Sequence, residues 1–315
     1  HILFYKGRTM NDFQSRLKQF VENNPNLVSM RETSHAGLYV LKYKKRVFYD
    51  SLWNEYLEEC RGTIVDKDFN VVSRPFTKVY NFGVESKAPK ISLDTNVTAY
   101  RKVNGFMVAM THYRGNLIIS TTGSTDSKYV DYAKEMMLTH APMKRWEDAA
   151  WASHGATLMF ECVHPEDPHI VPEKPGMYFL GWRENKWDSK INGYGIALAD
   201  AWRKFALKVL GCYYADCIHV TMAELIAESK RCQHEGFVLY TKDGISTKIK
   251  SPYYLVGKFV ARNPNTDKLL RADAKEKIEE EYYPLLDHIR ENIESFTALT
   301  EQERLAFVRN YLENT

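Results

Sequence analysis

The sequence lacks the features that mark secreted and membrane proteins. Its 315 residues include only five cysteines, whereas disulfide-stabilised folds are short and dense in cysteine. No apolar run approaches the ~18–20 residues that a membrane helix needs, and no basic-then-apolar secretion signal opens the chain. We therefore expect a cytoplasmic protein with reduced thiols and no membrane partner.

The chain also has little net charge. Forty-three Lys and Arg against 40 Asp and Glu leave a formal net charge of +3, too slight to indicate nucleic-acid binding by itself. Any basic surface must therefore be local. Hydrophobic residues at 44% and aromatic residues at 13% are typical of an ordinary folded domain. The composition favours a globular body with a sizeable core over a disordered chain.

Three cysteines and two histidines lie between residues 212 and 234. The residues concerned are Cys212, Cys217, His219, Cys232 and His234. Their spacing, C-x4-C-x-H followed by C-x-H, fits no familiar zinc pattern. We expect core or surface thiols here, and a metal site is the alternative.

Strand patterns dominate the middle of the chain. Alternating or apolar runs are bounded by turn residues, and tight turns such as "YRGN" and "KDGI" suit antiparallel hairpins. Helical periodicity recurs at 126–142, 143–154 and 196–210, and a first helix is indicated with Thr9 as its N-cap. The pattern predicts antiparallel sheets flanked by helices.

The composition changes to charged helix after about residue 262. In this tail Thr300 and Glu303 form a capping-box pattern. We therefore predict an α+β fold in two parts, a sheet-containing domain at 1–262 and a small all-helical domain at 263–315.

The segment "AYRKVNGFMVAM", residues 99–110, places a lysine in an otherwise apolar strand pattern. Burial would lower the pKa of Lys102 towards neutrality and leave a nucleophilic amine. Asn104 adds no negative charge that would keep the amine protonated. Gly105 allows a close approach of the backbone, which would suit a nearby phosphate. A surface lysine at a strand edge is the plain alternative.

Further cations lie in two other strand patterns. Lys248 and Lys250 are two residues apart, so both amines point from one face of a strand, where an anion such as a polyphosphate would relieve their repulsion. Arg61, Arg74 and Lys78 lie in hairpin-like strands and could contact terminal phosphates. A solvated strand face is the alternative for the two lysines.

Two glutamates and three aromatic residues complete the candidates. Glu161 lies in the apolar strand "LMFECV" and Glu235 opens "EGFVLY". Buried carboxylates seldom lack a partner, and these two would suit ribose hydroxyls and Mg²⁺ as well as structural salt bridges. An adenine platform or plain core packing would fit the aromatic residues Tyr178, Phe179 and Trp182.

The order of these residues resembles the covalent nucleotidyltransferase superfamily of ATP-dependent ligases and capping enzymes. A K-x-N-G motif, a strand with Glu, an E-G strand and K-x-K follow one another at Lys102, Glu161, Glu235 and Lys248. Within that superfamily, "ECRG", "SRP", "FECVHPEDPHIV", "EGFVLYTKDG" and "KIKS" resemble the tRNA-repairing RNA ligases of T-even bacteriophages over about residues 45–260. The resemblance implies the ligase-type nucleotidyltransferase fold.

The resemblance also implies a reaction. Lys102 would attack the α-phosphate of ATP, release pyrophosphate and carry AMP as a lysyl-AMP phosphoramidate. The AMP would pass to an RNA 5′-phosphate, and an RNA 3′-hydroxyl would displace it. Arg61, Lys78 and Tyr254 would lie near the β- and γ-phosphates, while Lys248 and Lys250 would stabilise the α-phosphate in flight.

Other positions follow by the same resemblance. Glu161 would bind the ribose, Glu235 would hold Mg²⁺ or Mn²⁺ and assist the lysine, and Asn104 and Gly105 would belong to the ATP site. Asn104 stands where most relatives have Asp, and Thr122 lies near a position where relatives have a lysine. The helical tail is shorter than the tRNA-directed domain of the phage enzyme.

The resemblance implies an ATP-dependent RNA ligase. Its partners would be RNA with 5′-phosphate and 3′-hydroxyl ends, with nicked tRNA as one candidate. We expect a monomer, in the host cytoplasm if the source is viral. The alternatives are a DNA-preferring ligase, the sealing module of a larger RNA-repair enzyme, or a catalytically silent protein that binds RNA ends.

Overall fold

The computed structural model describes residues 12–188, 201, 204–263 and 265–314. The predicted N-cap Thr9 lies outside these ranges, as do residues 196–200 and 202–203 of the helix predicted at 196–210. Among the described residues, no helix combines the length and apolar character that crossing a membrane requires.

Twelve strands form three antiparallel sheets of four strands within this part of the chain. In chain order they are β1 (Val28–Glu32), β2 (Leu38–Tyr43), β3 (Arg61–Asp66), β4 (Val71–Ser73), β5 (Asn96–Arg101), β6 (Phe106–Tyr113), β7 (Asn116–Ser120), β8 (Ala156–Val163), β9 (Gly176–Glu184), β10 (Cys217–Thr221), β11 (Gly236–Thr241) and β12 (Ser246–Lys250). The first sheet has the order β1-β2-β3-β4, the second β10-β5-β11-β12 and the third β7-β6-β8-β9. The predicted hairpins β6–β7 and β11–β12 are confirmed.

Helices flank the sheets and make up the end of the chain. Their bounds are α1 (Asp12–Asn23), α2 (Lys45–Tyr49), α3 (Glu55–Glu59), α4 (Lys128–His140), α5 (Met143–Ala152), α6 (Met222–Arg231), α7 (Pro252–Arg262), α8 (Ala274–Lys277), α9 (Tyr283–Glu291), α10 (Ile293–Ala298) and α11 (Glu301–Asn314). Single helical turns of other types cover Ala206–Leu210, Asp267–Leu270 and Glu280–Tyr282. The predicted helices at 126–142 and 143–154 correspond to α4 and α5.

The capping box predicted before α11 is present. The Thr300 N–H and hydroxyl both donate to Glu303 Oε2 at 2.8 Å, and the Glu303 N–H donates back to the Thr300 hydroxyl at 3.4 Å. The C-terminal helices share one apolar core, to which α7 contributes Phe259. The domain boundary near 262 stays a prediction, because this core already begins in α7.

The lysine motif forms the crossing between the second and third sheets. Strand β5 ends at Arg101 and β6 begins at Phe106, so residues 102–105 connect them. The Lys102 N–H donates to the Gly236 carbonyl at 2.8 Å, which ties the crossing to β11. The second sheet thereby fixes the backbone position of Lys102.

Two glycines allow the strands to approach each other at this crossing. A β-carbon on Gly105 would lie 2.2 Å from the Cys162 carbonyl oxygen, and one on Gly236 would lie 2.0 Å from the Ile249 carbonyl oxygen. Gly236 also has a φ of +126°, which side chains disfavour. The expected close approach at Gly105 is confirmed, although its neighbour is the β8 backbone.

We predict that Gly236→Ala destabilises the fold more than Gly115→Ala does. Gly115 has a φ of +84° but open space around its β-carbon position, so its substitution adds backbone strain alone. The additional overlap at Gly236 should cost about 1–3 kcal/mol more in the free energy of unfolding. Urea denaturation at unchanged slope measures the difference. Equal losses in the two variants would contradict the close approach.

Candidate active site

The Lys102 amine pairs with the Glu235 carboxylate at the centre of the site. Its Nζ lies 3.0 Å from Glu235 Oε1, and 24% of the lysine side chain is exposed against 3% of the glutamate. Asn104 Nδ2 donates to Glu235 Oε2 at 2.9 Å, while Asn104 Oδ1 accepts from the Val171 N–H at 3.1 Å. Asn104 thus holds the carboxylate in place through its second oxygen.

The predicted lowering of the Lys102 pKa is wrong for this arrangement. Burial does act to lower the pKa of Lys102, but the negative charges of Glu235 and Glu161 outweigh it, and the pKa is raised. The prediction rested on the neutral side chain of Asn104 and left out the effect of the Glu235 and Glu161 charges on the pKa of the amine. In this structure Lys102 is an ammonium ion at neutral pH.

The pKa values of the two glutamates that face Lys102 are shifted in opposite directions. Burial raises the pKa of Glu161 to about 7, although Lys102 acts against it; its Oε1 accepts from the Gly105 N–H at 3.1 Å. Burial would also raise the pKa of Glu235, but Lys102 and Lys250 outweigh burial and the pKa is lowered. The site therefore holds one firmly ionised carboxylate and one that titrates near neutrality.

Lys248 and Lys250 project from β12 and differ in their partners. Lys250 Nζ lies 2.7 Å from Glu281 Oε1 and 3.8 Å from Glu235 Oε1. Burial opposes the charge on Lys250, but these carboxylates raise its pKa above the ordinary value. Burial, together with Lys250 and Lys78, lowers the pKa of Lys248 to about 7. The repulsion expected between the two lysines therefore contributes to the lowered pKa of Lys248, whereas carboxylates raise the pKa of Lys250.

The chain segment after Lys78 runs beside β12 and brings another cation to the site. The Lys248 N–H donates to the Tyr80 carbonyl at 3.0 Å. Lys78 Nζ lies 2.9 Å from Glu85 Oε1 and 2.5 Å from Glu280 Oε1. Glu280 comes from the helical tail, as Glu281 does, so the tail supplies carboxylates to the cation cluster.

The two arginines considered for phosphate differ in their surroundings. Arg74 is buried, and its Nη2 lies 2.8 Å from Glu59 Oε1, which Arg183 also contacts at 2.7 Å. This network packs the interior, and Arg74 is not available to a phosphate. Arg61 donates from Nη1 to the Thr77 carbonyl at 3.1 Å, and its buried Nε has no hydrogen-bond partner among the described residues.

An aromatic cavity adjoins Lys102 and Glu161. It is lined by the aromatic residues Phe76, Tyr100, Phe179, Tyr214 and Tyr240. Of the three residues considered for an adenine platform, Phe179 lines this cavity, Trp182 packs in the core of the third sheet, and Tyr178 packs beside Val103. The aromatic wall was not evident from sequence, because its rings lie far apart along the chain.

Tyr254 lies near the start of α7, beside the lysines of β12. The Lys250 amine lies 5.1 Å from the centre of the Tyr254 ring, and the Lys258 amine lies 5.6 Å from it. Lys258 also contacts Glu281 Oε1 at 2.7 Å. Sequence reasoning missed Lys258, Glu280 and Glu281, since no local pattern distinguishes them from other charged residues of the tail.

The cysteine and histidine residues between 212 and 234 do not form a cluster that could hold a metal ion. Cys212 is buried in the core of the third sheet, and His219 Nδ1 lies 3.0 Å from the Thr98 hydroxyl on the second sheet. Across the described ranges, no three His, Cys, Asp or Glu side chains are placed to hold a metal ion by themselves. The chain supplies at most part of a metal's coordination within those ranges.

Comparison with known proteins identifies the family. The sequence matches the model of an RNA ligase family, of the T4 type, over residues 59–254, which is more than half of the chain. The chain therefore belongs to this family, and the resemblance drawn from the motifs is confirmed.

Two curated relatives are viral. The putative bifunctional polynucleotide kinase/RNA ligase of Autographa californica nuclear polyhedrosis virus is 24% identical over 275 residues, which are 77% of this chain and 36% of that protein. RNA ligase 1 of bacteriophage TS2126 is 32% identical over 135 residues, which are 40% of this chain and 34% of that protein. The chain spans about a third of the length of either relative.

Solved structures with low sequence identity share the fold. An archaeal ATP-dependent RNA ligase has a TM-score of 0.58 at 14% identity, over 96% of this chain and 80% of that one. A putative ATP-dependent DNA ligase from Aquifex aeolicus has a TM-score of 0.57 at 12% identity, over 94% and 77%. The predicted α+β nucleotidyltransferase fold is confirmed.

We predict that Glu235→Gln lowers the pKa of Lys102, because the substitution removes the carboxylate charge that most favours the ammonium ion. A lower pKa leaves more free amine at any given pH, so acylation of Lys102 should begin at lower pH. Trace labelling with acetic anhydride across a pH series, read by peptide mass spectrometry, measures this. Glu135→Gln, on the exposed face of α4, is the control. If Lys102 has the same titration midpoint in Glu235→Gln as in this control, the pairing of Lys102 with Glu235 is refuted.

Proposed function

We propose that this chain is an ATP-dependent RNA ligase whose nucleophile is Lys102. The observation that carries the proposal is the position of the Lys102 amine, 3.0 Å from Glu235, beside the lysines of β12 and at the wall of an aromatic cavity. Family membership supports RNA sealing. The cavity rings would accept adenine by stacking, which leaves the α-phosphate near the amine.

In the first step the free amine of Lys102 attacks the α-phosphorus of ATP. A P–N bond forms, the bond to the β-phosphate oxygen breaks, and pyrophosphate leaves. Lys102 gives up one proton before attack and a second as the phosphoramidate forms. Glu235 orients the amine through the ion pair. Glu161, whose pKa lies near 7, would either change its protonation as Lys102 loses its charge or bind the ribose.

Fixed cations would stabilise the charge that develops on the phosphates. Lys248 and Lys250 would serve the α-phosphate, and Arg61 and Lys78 the leaving pyrophosphate, with Tyr254 beside them. Lys78 and Lys250 already pair with Glu280 and Glu281. ATP phosphates and these tail carboxylates would therefore compete for the same amines.

The residues present fit a divalent cation such as Mg²⁺ or Mn²⁺. Hard cations prefer oxygen ligands and take many of them from phosphates and water, so a single carboxylate from the protein suffices. Glu235 would provide that oxygen. Bound there, the ion would neutralise phosphate charge next to Lys102.

The later steps would join RNA ends. AMP passes from Lys102 to an RNA 5′-phosphate, and the 3′-hydroxyl of a second end attacks that phosphate and releases AMP. Nicked tRNA is one candidate substrate, and a monomer in the cytoplasm, host cytoplasm for a viral source, stays our prediction. The helical tail at 263–315 is proposed as a separate unit that contributes Glu280 and Glu281.

We predict that ATP labelled at its α-phosphate, with Mg²⁺, leaves label on the denatured wild-type chain and none on Lys102→Ala. Lys250→Ala should label about 10²–10³-fold more slowly, because it removes one fixed contact to the transferring phosphate. The matched control is Lys144→Ala, an exposed lysine of α5 that pairs with Asp148. An unlabelled wild-type chain would favour a silent RNA-end binding protein.

We predict that RNA with a 5′-phosphate and a 3′-hydroxyl is sealed faster than DNA of the same sequence. Gel analysis of single-stranded and nicked substrates measures both rates. Lys102→Ala should still seal RNA that already carries AMP at its 5′ end, because that substrate bypasses the lysine. Faster sealing of DNA would support the DNA-ligase alternative instead.

A further inference from the structure

A second cleft lies between the first and third sheets. We name it the Arg31–Lys42 cleft, and it has a volume of about 390 Å³. Arg31 of β1, Lys42 of β2 and the turn after β7 line it, together with Phe106 and Tyr129. Thr122, which lies near a position where relatives have a lysine, also belongs to its wall, whereas none of the residues assigned to catalysis or ATP binding does.

The cleft gathers positive charge around a backbone turn. Arg31 Nη2 donates to the Gly123 carbonyl at 2.6 Å, and a β-carbon on Gly123 would lie 2.9 Å from the Lys42 amine. No carboxylate belongs to the described residues that line the cleft. The nearby Asp126 accepts a hydrogen bond from the Ser124 hydroxyl at 2.6 Å. The two cations therefore meet no anion in the described wall of the cleft.

The start of α4 borders the same cleft through Ser127. The Ser127 hydroxyl oxygen is buried and has no hydrogen-bond partner in the described part of the chain. Ser127 is the N-cap of α4, whose 13 residues begin at Lys128. Free N–H groups and the helix dipole favour an anion at such an end. The helix end and the two cations thus favour the same kind of ligand, an anion.

Aromatic rings accompany these cations. Phe106 and Tyr129 meet edge to face with ring centres 5.1 Å apart, and the Lys128 amine lies 5.2 Å from the Tyr129 ring. Rings beside a positively charged groove are the common means of holding single-stranded nucleic acid. Phe106 directly follows Gly105, so the cleft begins at the end of the lysine motif.

The cleft is also linked to the proposed phosphate site through the backbone. Lys42 lies opposite Arg61 in the β2–β3 register. A β-carbon on Gly62, the next residue of β3, would lie 2.9 Å from the Thr122 Cα, so the strand of Arg61 rests directly on the turn. A strand of nucleic acid that leaves Lys102 past Phe106 would therefore reach Lys42 and Arg31 next.

From this geometry we propose that the Arg31–Lys42 cleft binds a backbone phosphate of the RNA strand that is to be joined, with Phe106 and Tyr129 beside its bases. This rests on the proposed function, since it assigns the strand to a ligase. The cleft holds the strand and takes no part in bond formation.

The test is binding of a fluorescent, 5′-phosphorylated single-stranded RNA without ATP, followed by anisotropy at several salt concentrations. Arg31→Ala/Lys42→Ala should bind more weakly than the wild-type chain. Each cation that neutralises a phosphate of a single strand adds ~0.7 to the slope of log affinity against log salt, so removal of both should reduce the slope by about 1.4. Lys44→Ala/Lys45→Ala removes two exposed cations that follow β2 outside the cleft, and should leave the slope unchanged.

One further variant tests for misfolding, and one further measurement distinguishes binding of an RNA phosphate from binding of an ATP phosphate. Lys42→Arg keeps the charge and should bind as the wild-type chain does. The ATP concentration that half-saturates Lys102 labelling should be the same in Arg31→Ala/Lys42→Ala as in the wild-type chain. If ATP use changes while RNA binding does not, the cleft serves the nucleotide and the proposal is overturned.

If both double variants weaken RNA binding equally, the proposal is also overturned, because binding would then depend on the overall charge of the surface. Unchanged RNA binding in Arg31→Ala/Lys42→Ala would overturn it as well. The binding measurement needs no chemistry, and it therefore stands if Lys102 takes no label. Conversely, labelling of Lys102 with no effect of the cleft variants removes this inference and leaves the proposed ligase intact.

Discussion

The ion pair between Lys102 and Glu235 is the interaction on which the site depends. The lysine lies in the crossing from the second sheet to the third, and the glutamate directly precedes β11. Because the Lys102 N–H also binds the Gly236 carbonyl, backbone and side chain are held to the same strand end. Asn104 then fixes the carboxylate through its other oxygen, so the amine has little freedom of position.

Charge balance around this pair follows from burial. An isolated buried charge is costly, and the cost falls when an opposite charge lies close. Glu281 supplies that charge for Lys250, and Glu280 does so for Lys78. Lys248 forms no such ion pair among the described residues, and its pKa falls to about 7. The helical tail is therefore part of the electrostatics of the site.

The start of β3 lies between the cation cluster and the turn that borders the Arg31–Lys42 cleft. The charge of Arg61 acts on Lys248 in the cation cluster, and Gly62 lies against the turn that Arg31 and Lys42 hold. A side chain at Gly62 would separate the first sheet from this turn. Close contact of these backbones therefore links the strand that carries Arg61 to the turn that Arg31 and Lys42 contact.

Local patterns in the sequence were enough to predict the kind of chemistry and the elements that carry it. The spacing of the lysine, glutamate and K-x-K motifs indicated the family. Strand periodicity correctly placed Glu161 and the K-x-K lysines on strands, whereas Lys102 lies in the connection after β5 and Glu235 directly precedes β11. Only the tertiary structure determined three features of the site. These are the charge state of Lys102, the burial of Arg74 with Glu59, and the contacts of Glu280 and Glu281 with the cation cluster. Those features depend on distances between residues far apart in the chain, and electrostatic energy follows such distances and burial, which no local pattern records.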